Sequence, residues 1–330
     1  MFDNKKILIT GGTGSLGTAL VKKILKTNVD TIRIYSRDEW KQIEMEQKFN
    51  DDRLRFFIGD VRDKERLNKA LENVDIVIHA AALKQVPVVE YNPFEAVKTN
   101  VIGAQNLIDS CFANNVEIAL AVGTDKAVSP FNTYGATKFL MERLFVSANY
   151  YKGKHKTKFL TVRYGNVMGS RGSIIPLMIK QIQANKKITI TDPNMTRFNI
   201  TMNQALDFVL RALQNGKGGE VFVPKLKAYK VSELKDAIAE ILDAENETEI
   251  IGARPGEKFH ESLISKDEIR NAFENEQDYI LLDQQIQEDY LKENSEVKKT
   301  SMDGQYSSDK VELMNKDEIK QILTDEKLIG

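Results

Sequence analysis

The run Thr10-Gly11-Gly12-Thr13-Gly14-Ser15-Leu16-Gly17 constrains the fold of this chain more than any other stretch. It follows the apolar strand Ile7-Leu8-Ile9 and opens a helix reading Leu16 to Leu25. Glycine at positions 11, 14 and 17 permits a tight turn and lets backbone approach a pyrophosphate at a helix N-terminus. Three glycines alone carry little weight; the strand before them and the helix after are what the mechanism requires. Further apolar strands are expected at Thr31–Tyr35, Leu54–Ile58, Val74–His79, Ile118–Val122 and Phe159–Arg163. Helical stretches lie between them, Lys64–Leu71 and Ala96–Phe112 among them. Buried strands alternating with helices mean repeated βαβ units. The fold class is therefore α/β, with a Rossmann-type doubly wound parallel sheet.

After Gly165 the pattern is less regular. Helices are expected at Ile175–Ala184, Asn203–Gln214 and Val231–Ala244, and short strands at Ile188–Thr191, Glu220–Val223 and Glu249–Ile251. This divides the chain into a dinucleotide-binding domain over 1–165, which also carries the catalytic residues, and a smaller C-terminal α/β substrate lobe over 166–283. Segments of that lobe are free to return to the first domain. Residues 284–330, rich in Glu, Asp, Lys, Ser and Gln, read as a mobile polar tail with one short helix near Asp317–Leu323.

Charge excludes several partners. The 47 basic and 48 acidic residues nearly cancel, leaving no footprint for nucleic acid or an anionic membrane. The single cysteine, Cys111, cannot form an internal disulfide, which fits a reducing compartment. No segment has about 18 uninterrupted apolar residues, so a soluble cytoplasmic protein is expected. His79, His155 and His260 are too scattered for a metal site.

The second strand ends in Tyr35-Ser36-Arg37-Asp38. An acidic residue at the strand end favours NAD, whereas a forked arginine suits a 2′-phosphate. Arg37, helped by the Ser36 hydroxyl, favours NADP; Asp38 would admit NAD if it pointed inward. Asp60 and Val61 end the third strand, where they can flank an adenine. Ala80, Ala81 and Ala82 follow the fourth strand. They either leave room for the cofactor or serve close packing.

Tyr134-Gly135-Ala136-Thr137-Lys138 places Tyr134 and Lys138 on one helix face. A nearby ammonium lowers a phenol's pKa, so Tyr134 can act as a base near neutral pH while Lys138 holds the nicotinamide ribose. Thr124, Asp125 and Lys126 lie just after the fifth strand, at the carboxyl edge where open α/β sheets bind ligands. Thr124 suits a sugar hydroxyl, Asp125 a general acid, and Lys126 a general base if burial or a neighbouring cation depresses its pKa. The plainer reading of this trio is a helix cap with a surface ion pair.

With these residues in view, the chain resembles the extended short-chain dehydrogenases/reductases. It resembles more specifically the C5-inverting UDP-N-acetylglucosamine 4,6-dehydratases that begin pseudaminic acid biosynthesis. The stretches that carry the likeness are TGGTGSLG, YSRDE, AALKQVPVVEYNP, GTDKAVSPFNTYGATK, VRYGNVMGSRGS, ITDPNMTRFNIT and GARPGEKFHE, from residue 10 to about 261. TDKA is informative. Dehydratases that retain C5 typically carry Asp-Glu there, and simple epimerases a Ser or Thr without the acid/base pair.

The resemblance implies a UDP-sugar substrate and an NADP cofactor that is regenerated each turnover. Tyr134 would take the 4-hydroxyl proton as C4 is oxidised, Lys126 the C5 proton, and Asp125 would protonate the leaving 6-hydroxyl. The split between Asp125 and Lys126 stays open, since adjacent groups titrate as a pair. It also implies that Arg171, Arg197 and Arg254 serve the diphosphate, Asn166 a phosphate or sugar group, Glu257 the uridine ribose, and Lys84 the sugar or its phosphate. Val167 would touch the cofactor. Members of the family often form homo-oligomers. A C5-retaining dehydratase, a 4-epimerase and a non-catalytic NADP-binding regulator remain as alternatives.

Overall fold

The computed structural model describes residues 1–329. Five βα steps build the first half. β1 (Lys6–Thr10) leads to α1 (Ser15–Ile24), β2 (Thr31–Ser36) to α2 (Glu39–Phe49), and β3 (Leu54–Ile58) to α3 (Lys64–Ala70). β4 (Ile76–His79) is followed by α4 (Val86–Tyr91), α5 (Pro93–Ala96) and α6 (Gly103–Ala113). β5 (Ile118–Val122) precedes the long α7 (Thr133–Tyr151), and β6 (Lys158–Val162) closes the series. The strands pair in parallel in the order β3-β2-β1-β4-β5-β6. One core packs Ile7, Ile9 and Ile78 against α1, and the other packs Leu8, Val77 and Ala119 against α6 and α7. Alternate strand side chains thus feed opposite faces.

The single helix expected over Ala96–Phe112 is three pieces. A π-helical turn, Val97–Ile102, separates α5 from α6. It carries Asn100, whose side chain clasps the Leu83 backbone at 2.9 and 3.0 Å and Thr137 Oγ1 at 3.0 Å. Widening the helix there tethers the loop after β4 to α7. Helix α2 was not evident in the sequence, because its face is mostly polar; Asp38 caps it by accepting from Lys41 N at 3.0 Å. Trp40 lies 67% exposed on that helix.

The second half adds β7 (Asn166–Val167), α8 (Ile174–Gln183), β8 (Ile188–Ile190), β9 (Thr196–Ile200) and α9 (Met202–Asn215). β10 (Val221–Pro224), β11 (Ala228–Lys230), α10 (Val231–Ile241), β12 (Thr248–Ile250), β13 (Ser262–Ile264), β14 (Ala272–Glu274) and β15 (Asp278–Leu281) follow. β10 joins β6 in parallel, and β15 and β14 extend the large sheet antiparallel. Short strands β7, β9 and β11 form a second sheet.

The tail expected to be mobile is instead packed. It forms α11 (Gln284–Glu293), β16 (Lys298–Lys299), β17 (Tyr306–Ser307) and α12 (Lys316–Asp325). β16 becomes the outermost strand of a ten-stranded sheet, and β17 pairs with β13. α12 is opened by a capping box between Asn315 and Glu318 and buries Ile319 and Leu323 against Leu234 and Ile238 of α10. Polar composition hid a narrow apolar stripe that only another helix completes.

Candidate active site

A cleft of about 1040 Å3 runs along the carboxyl edge of the parallel strands, between the sheet and the second-half elements. At one end is the Gly-rich turn. Gly11 has φ +66°, and a side-chain carbon there would sit 2.9 Å from Ala81 Cα. At Gly17 such a carbon would sit 2.5 Å from the Gly12 carbonyl oxygen, so α1 packs directly on the turn. Gly14 caps α1 with no side chain in the way, which leaves first-turn N–H groups facing the cleft. Thr13, Gly14, Ser15 and Leu16 line it; Gly12 does not, since its α-carbon lies against Ile34 under the turn. Ala80, Ala81 and Ala82 form the opposite wall, with Val61 and Val167 nearby.

At the mouth by β2, Ser36 and Arg37 line the cleft, and the Arg37 guanidinium is 3.7 Å from Asp60 Oδ2 and half exposed. Asp38 is committed to capping α2 and pairing with Lys41. Arg171 crosses from the second half to the turn, donating to the Thr13 carbonyl at 2.6 Å and lying 3.4 Å from Ser15 Oγ. Lys84 Nζ lies 3.5 Å from the Arg171 carbonyl. Burial first, then the charges of Arg171 and Lys126, hold its pKa below the usual lysine value.

In the middle of the cleft, Asp125–Ala127 is one turn of 3₁₀ helix, with Thr124 Oγ1 accepting from Lys126 N at 3.4 Å and donating to Asp125 Oδ1 at 2.9 Å. Lys126 Nζ is 3.1 Å from Asp125 Oδ1, 3.1 Å from Asn166 Oδ1 and 3.4 Å from Glu261 Oε1. Lys126 is a base only if its pKa is depressed. Burial does oppose its charge, but the Asp125 and Glu261 carboxylates outweigh burial and hold its pKa above the usual value. Lys126 therefore rests as an ammonium. Asp125, expected as an acid facing substrate, is 1% exposed and off the cleft wall.

Tyr134 and Lys138 both line the cleft from α7. Lys138 Nζ, however, points to the Val122 carbonyl at 2.6 Å. Burial lowers its pKa to about 7, against the pull of Glu142. Burial raises the Tyr134 phenol above its usual value, and the cation that tempers this is Lys126, joined by a Thr124 hydrogen bond. The expected lowering of the phenol by Lys138 is thus replaced by a partial one from Lys126. Physically, the Lys138 ammonium is turned away and easily neutralised, while Lys126 is held charged by two carboxylates.

At the far end Arg197 is buried, with Nη2 3.0 Å from Glu257 Oε1 and Nη1 3.0 Å from the Phe259 carbonyl. Glu257, expected to be free for a ribose, is thus already engaged; its Oε2 also accepts from Arg254 N at 3.3 Å. Arg254 is exposed on the cleft rim. The residue missed in the sequence is Glu261, which lines the cleft beside Lys126. It closes the GARPGEKFHE stretch, but a single glutamate in a polar loop has no periodicity to mark it; only the tertiary fold brings it to Lys126. Among the described residues no cluster of three His, Cys, Asp or Glu side chains is placed to hold a metal ion, and no helix is long and apolar enough to cross a membrane.

Residues 7–284 match the family described as polysaccharide biosynthesis protein. A UDP-N-acetylglucosamine 4,6-dehydratase (inverting) of Campylobacter jejuni is 50% identical over 283 residues, 85% of this chain and 84% of that protein. A protein of Rickettsia massiliae named UDP-glucose 4-epimerase is 42% identical over 329 residues, 98% of this chain and 96% of that one. The X-ray structure of Pen from Bacillus thuringiensis superposes with a TM-score of 0.93 at 39% identity, covering 100% of both chains.

Proposed function

The chain belongs to the polysaccharide biosynthesis protein family, and from that premise we propose that it is a UDP-N-acetylglucosamine 4,6-dehydratase that inverts C5, an NADP-dependent lyase. The observation that carries the reading is the Lys126 ammonium, set in the cleft between Asp125 and Glu261 and sharing that cleft with Tyr134. Elimination of water across C5–C6 needs groups that take and give protons beyond the one that serves C4; epimerisation at C4 does not.

The cleft fits a nicotinamide dinucleotide. Gly11 and Gly17 leave no room for side chains, α1 presents bare N–H groups, and Lys138 and Tyr134 lie farther along the same groove. When bound, such a cofactor would supply a hydride acceptor for C4 and a hydride donor for C6. Arg37 and Ser36, with Asp38 occupied elsewhere, favour a 2′-phosphate and hence NADP.

Tyr134 takes the 4-hydroxyl proton, with Thr124 and Lys126 favouring its ionised form. Lys126 takes the C5 proton, made acidic by the new ketone. Because Lys126 rests as an ammonium, it first hands a proton to a neighbour, and Asp125 Oδ1 is in place at 3.1 Å. Arg171, Arg254 and Lys84 serve the diphosphate, and Arg197 orders the loop that carries Glu257.

Incubation with UDP-N-acetylglucosamine in deuterated water tests the reading. The expected product is lighter by one water, carries deuterium at C5 and shows ring couplings of the L-arabino sugar. A product of unchanged mass would instead mean the epimerase activity named for the rickettsial relative. A product with C5 retained would overturn inversion.

A further inference from the structure

Departure of the 6-hydroxyl needs a proton donor on the wall that faces it. Asp125 is poorly placed: the residue is off the cleft wall, and its Oδ2 is buried without a hydrogen-bond partner. Glu261 meets the same ammonium. Its Oε1 is 3.4 Å from Lys126 Nζ, its Oε2 is buried without a partner, and the residue lines the cleft. Its backbone is held at both ends by one residue. Glu261 N donates to Ser308 Oγ at 3.0 Å, and Ser308 N donates to the Glu261 carbonyl at 2.8 Å.

One ammonium here serves two buried carboxyl groups. A buried carboxylate without a full set of donors is costly, and holding a proton removes that cost. Burial pushes Glu261 above the usual carboxyl range, aided by Asp125, with Lys126, Arg197 and Lys258 pulling the other way. Burial thus favours the protonated form of Glu261, the carboxyl residue that lines the cleft beside Lys126.

We propose that Glu261 is the acid that protonates the departing 6-hydroxyl, and that Asp125 is a positioning residue that orients Lys126 and exchanges a proton with it. The assignment rests on the dehydratase reading. As the Lys126 amine takes the C5 proton, that C–H electron pair becomes the C5–C6 double bond. The C6–O bond breaks with its pair on oxygen, which takes the Glu261 proton and leaves as water. Lys126 is left as ammonium and Glu261 as carboxylate, an ion pair across the separation already present.

The test compares Glu261→Gln with the wild-type protein on two substrates, UDP-N-acetylglucosamine and its 6-deoxy-6-fluoro analogue. Fluoride departs as an anion and needs no proton. Glu261→Gln is expected to lose about 100-fold or more in turnover on the hydroxyl substrate and less than about five-fold on the fluoro substrate. Equal losses on the two substrates would assign Glu261 a structural role and overturn the proposal, as would unchanged turnover on the hydroxyl substrate. If the glutamine variant does not fold, Glu261→Asp takes its place. Its shorter carboxyl must show the same split in favour of fluoride, and an equal loss again overturns the proposal. A wild-type protein that epimerises, giving a product of unchanged mass, refutes the dehydratase reading first and the acid with it.

Discussion

A side-chain carbon at Gly135 would overlap the carbonyl oxygen of Lys126. Gly135 is also tied to the helix cap, its N–H donating to Asn132 Oδ1 at 2.7 Å. The first turn of α7, which carries Tyr134, and the 3₁₀ turn, which carries Asp125 and Lys126, are therefore packed backbone to backbone. The phenol and the ammonium are held as one rigid unit, and glycine in the YGATK stretch is what permits it.

Gly135→Ala should push these two turns apart. Overpacking of this kind costs about 1–3 kcal/mol. Misplacement of reacting groups by about 1 Å can cost on the order of 100-fold in rate. The expected result is a folded protein that binds NADP normally and turns over about 10- to 100-fold more slowly. Thermal melting and cofactor titration, run beside the turnover assay, separate the two effects. Near-normal turnover would show that the contact is not needed.

The parallel sheet was legible because strands such as Ile7-Leu8-Ile9 and Ile76–His79 are buried on both faces, and burial on both faces writes an unbroken apolar run. The Gly-rich turn and the Tyr134/Lys138 spacing were legible because local geometry demands particular residues at fixed offsets. Three things were not. Glu261 reaches Lys126 only through the fold. The protonation of Lys126 depends on which charges surround it, and two carboxylates reverse the shift that burial alone would give. The order of the tail depends on Ile319 and Leu323 finding α10, and a two-residue stripe in a polar stretch does not announce a partner.

Lys126→Met removes the ammonium while keeping the stem's bulk. Dehydration should fall by about 100- to 10,000-fold. NADP affinity should change little, because the Gly-rich turn, Arg37 and Lys138 are untouched. Product formation by NMR and cofactor binding by fluorescence check the two halves. Retained dehydration would refute the proton role given to Lys126.

Arg37→Ala should separate the two nicotinamide cofactors. A charge-assisted hydrogen bond contributes about 1.5–3 kcal/mol, so NADP binding should weaken by about 10- to 150-fold. NAD binding should hold, because NAD carries no 2′-phosphate for the guanidinium to meet and Asp60 stays held by Arg62 at 2.7 and 3.0 Å. Calorimetric titration of both cofactors against both proteins decides it; equal weakening of the two would remove Arg37 from the ribose site.

Lys138 gives a pH dependence with a definite sign. In the cofactor-free fold its pKa is lowered to about 7 by burial, whereas the unfolded chain titrates near about 10.4. Between those values the unfolded chain binds more protons, so stability rises with pH, by at most about 1.4 kcal/mol per unit. The contribution is complete above the unfolded value and is lost as pH falls through about 7. Urea denaturation at several pH values across this window should show a steeper rise for the wild-type protein than for Lys138→Met. NADP should flatten the wild-type slope, since ribose hydroxyls stabilise the ammonium. Parallel slopes for the two proteins would contradict the lowered pKa.

Ser308 shows why the polar tail belongs to the site. Its hydroxyl accepts from Glu261 N and lies 2.7 Å from Thr196 Oγ1, and Thr196 Oγ1 is in turn 2.8 Å from His260 Nδ1. Ser308→Ala leaves the Glu261 N–H without a partner in a buried place, which costs about 1–3 kcal/mol. The backbone bond from Ser308 N to the Glu261 carbonyl survives, so the segment should stay docked but swing. Turnover is expected to fall several-fold with the hydroxyl substrate while NADP affinity holds, because the Gly-rich turn at one end of the cleft is untouched. Ser308→Thr keeps the hydroxyl and should restore most of the loss. If the alanine variant lost stability alone, with turnover per folded molecule unchanged, the tail would be only a brace for the fold, and Glu261 would hold its position without it.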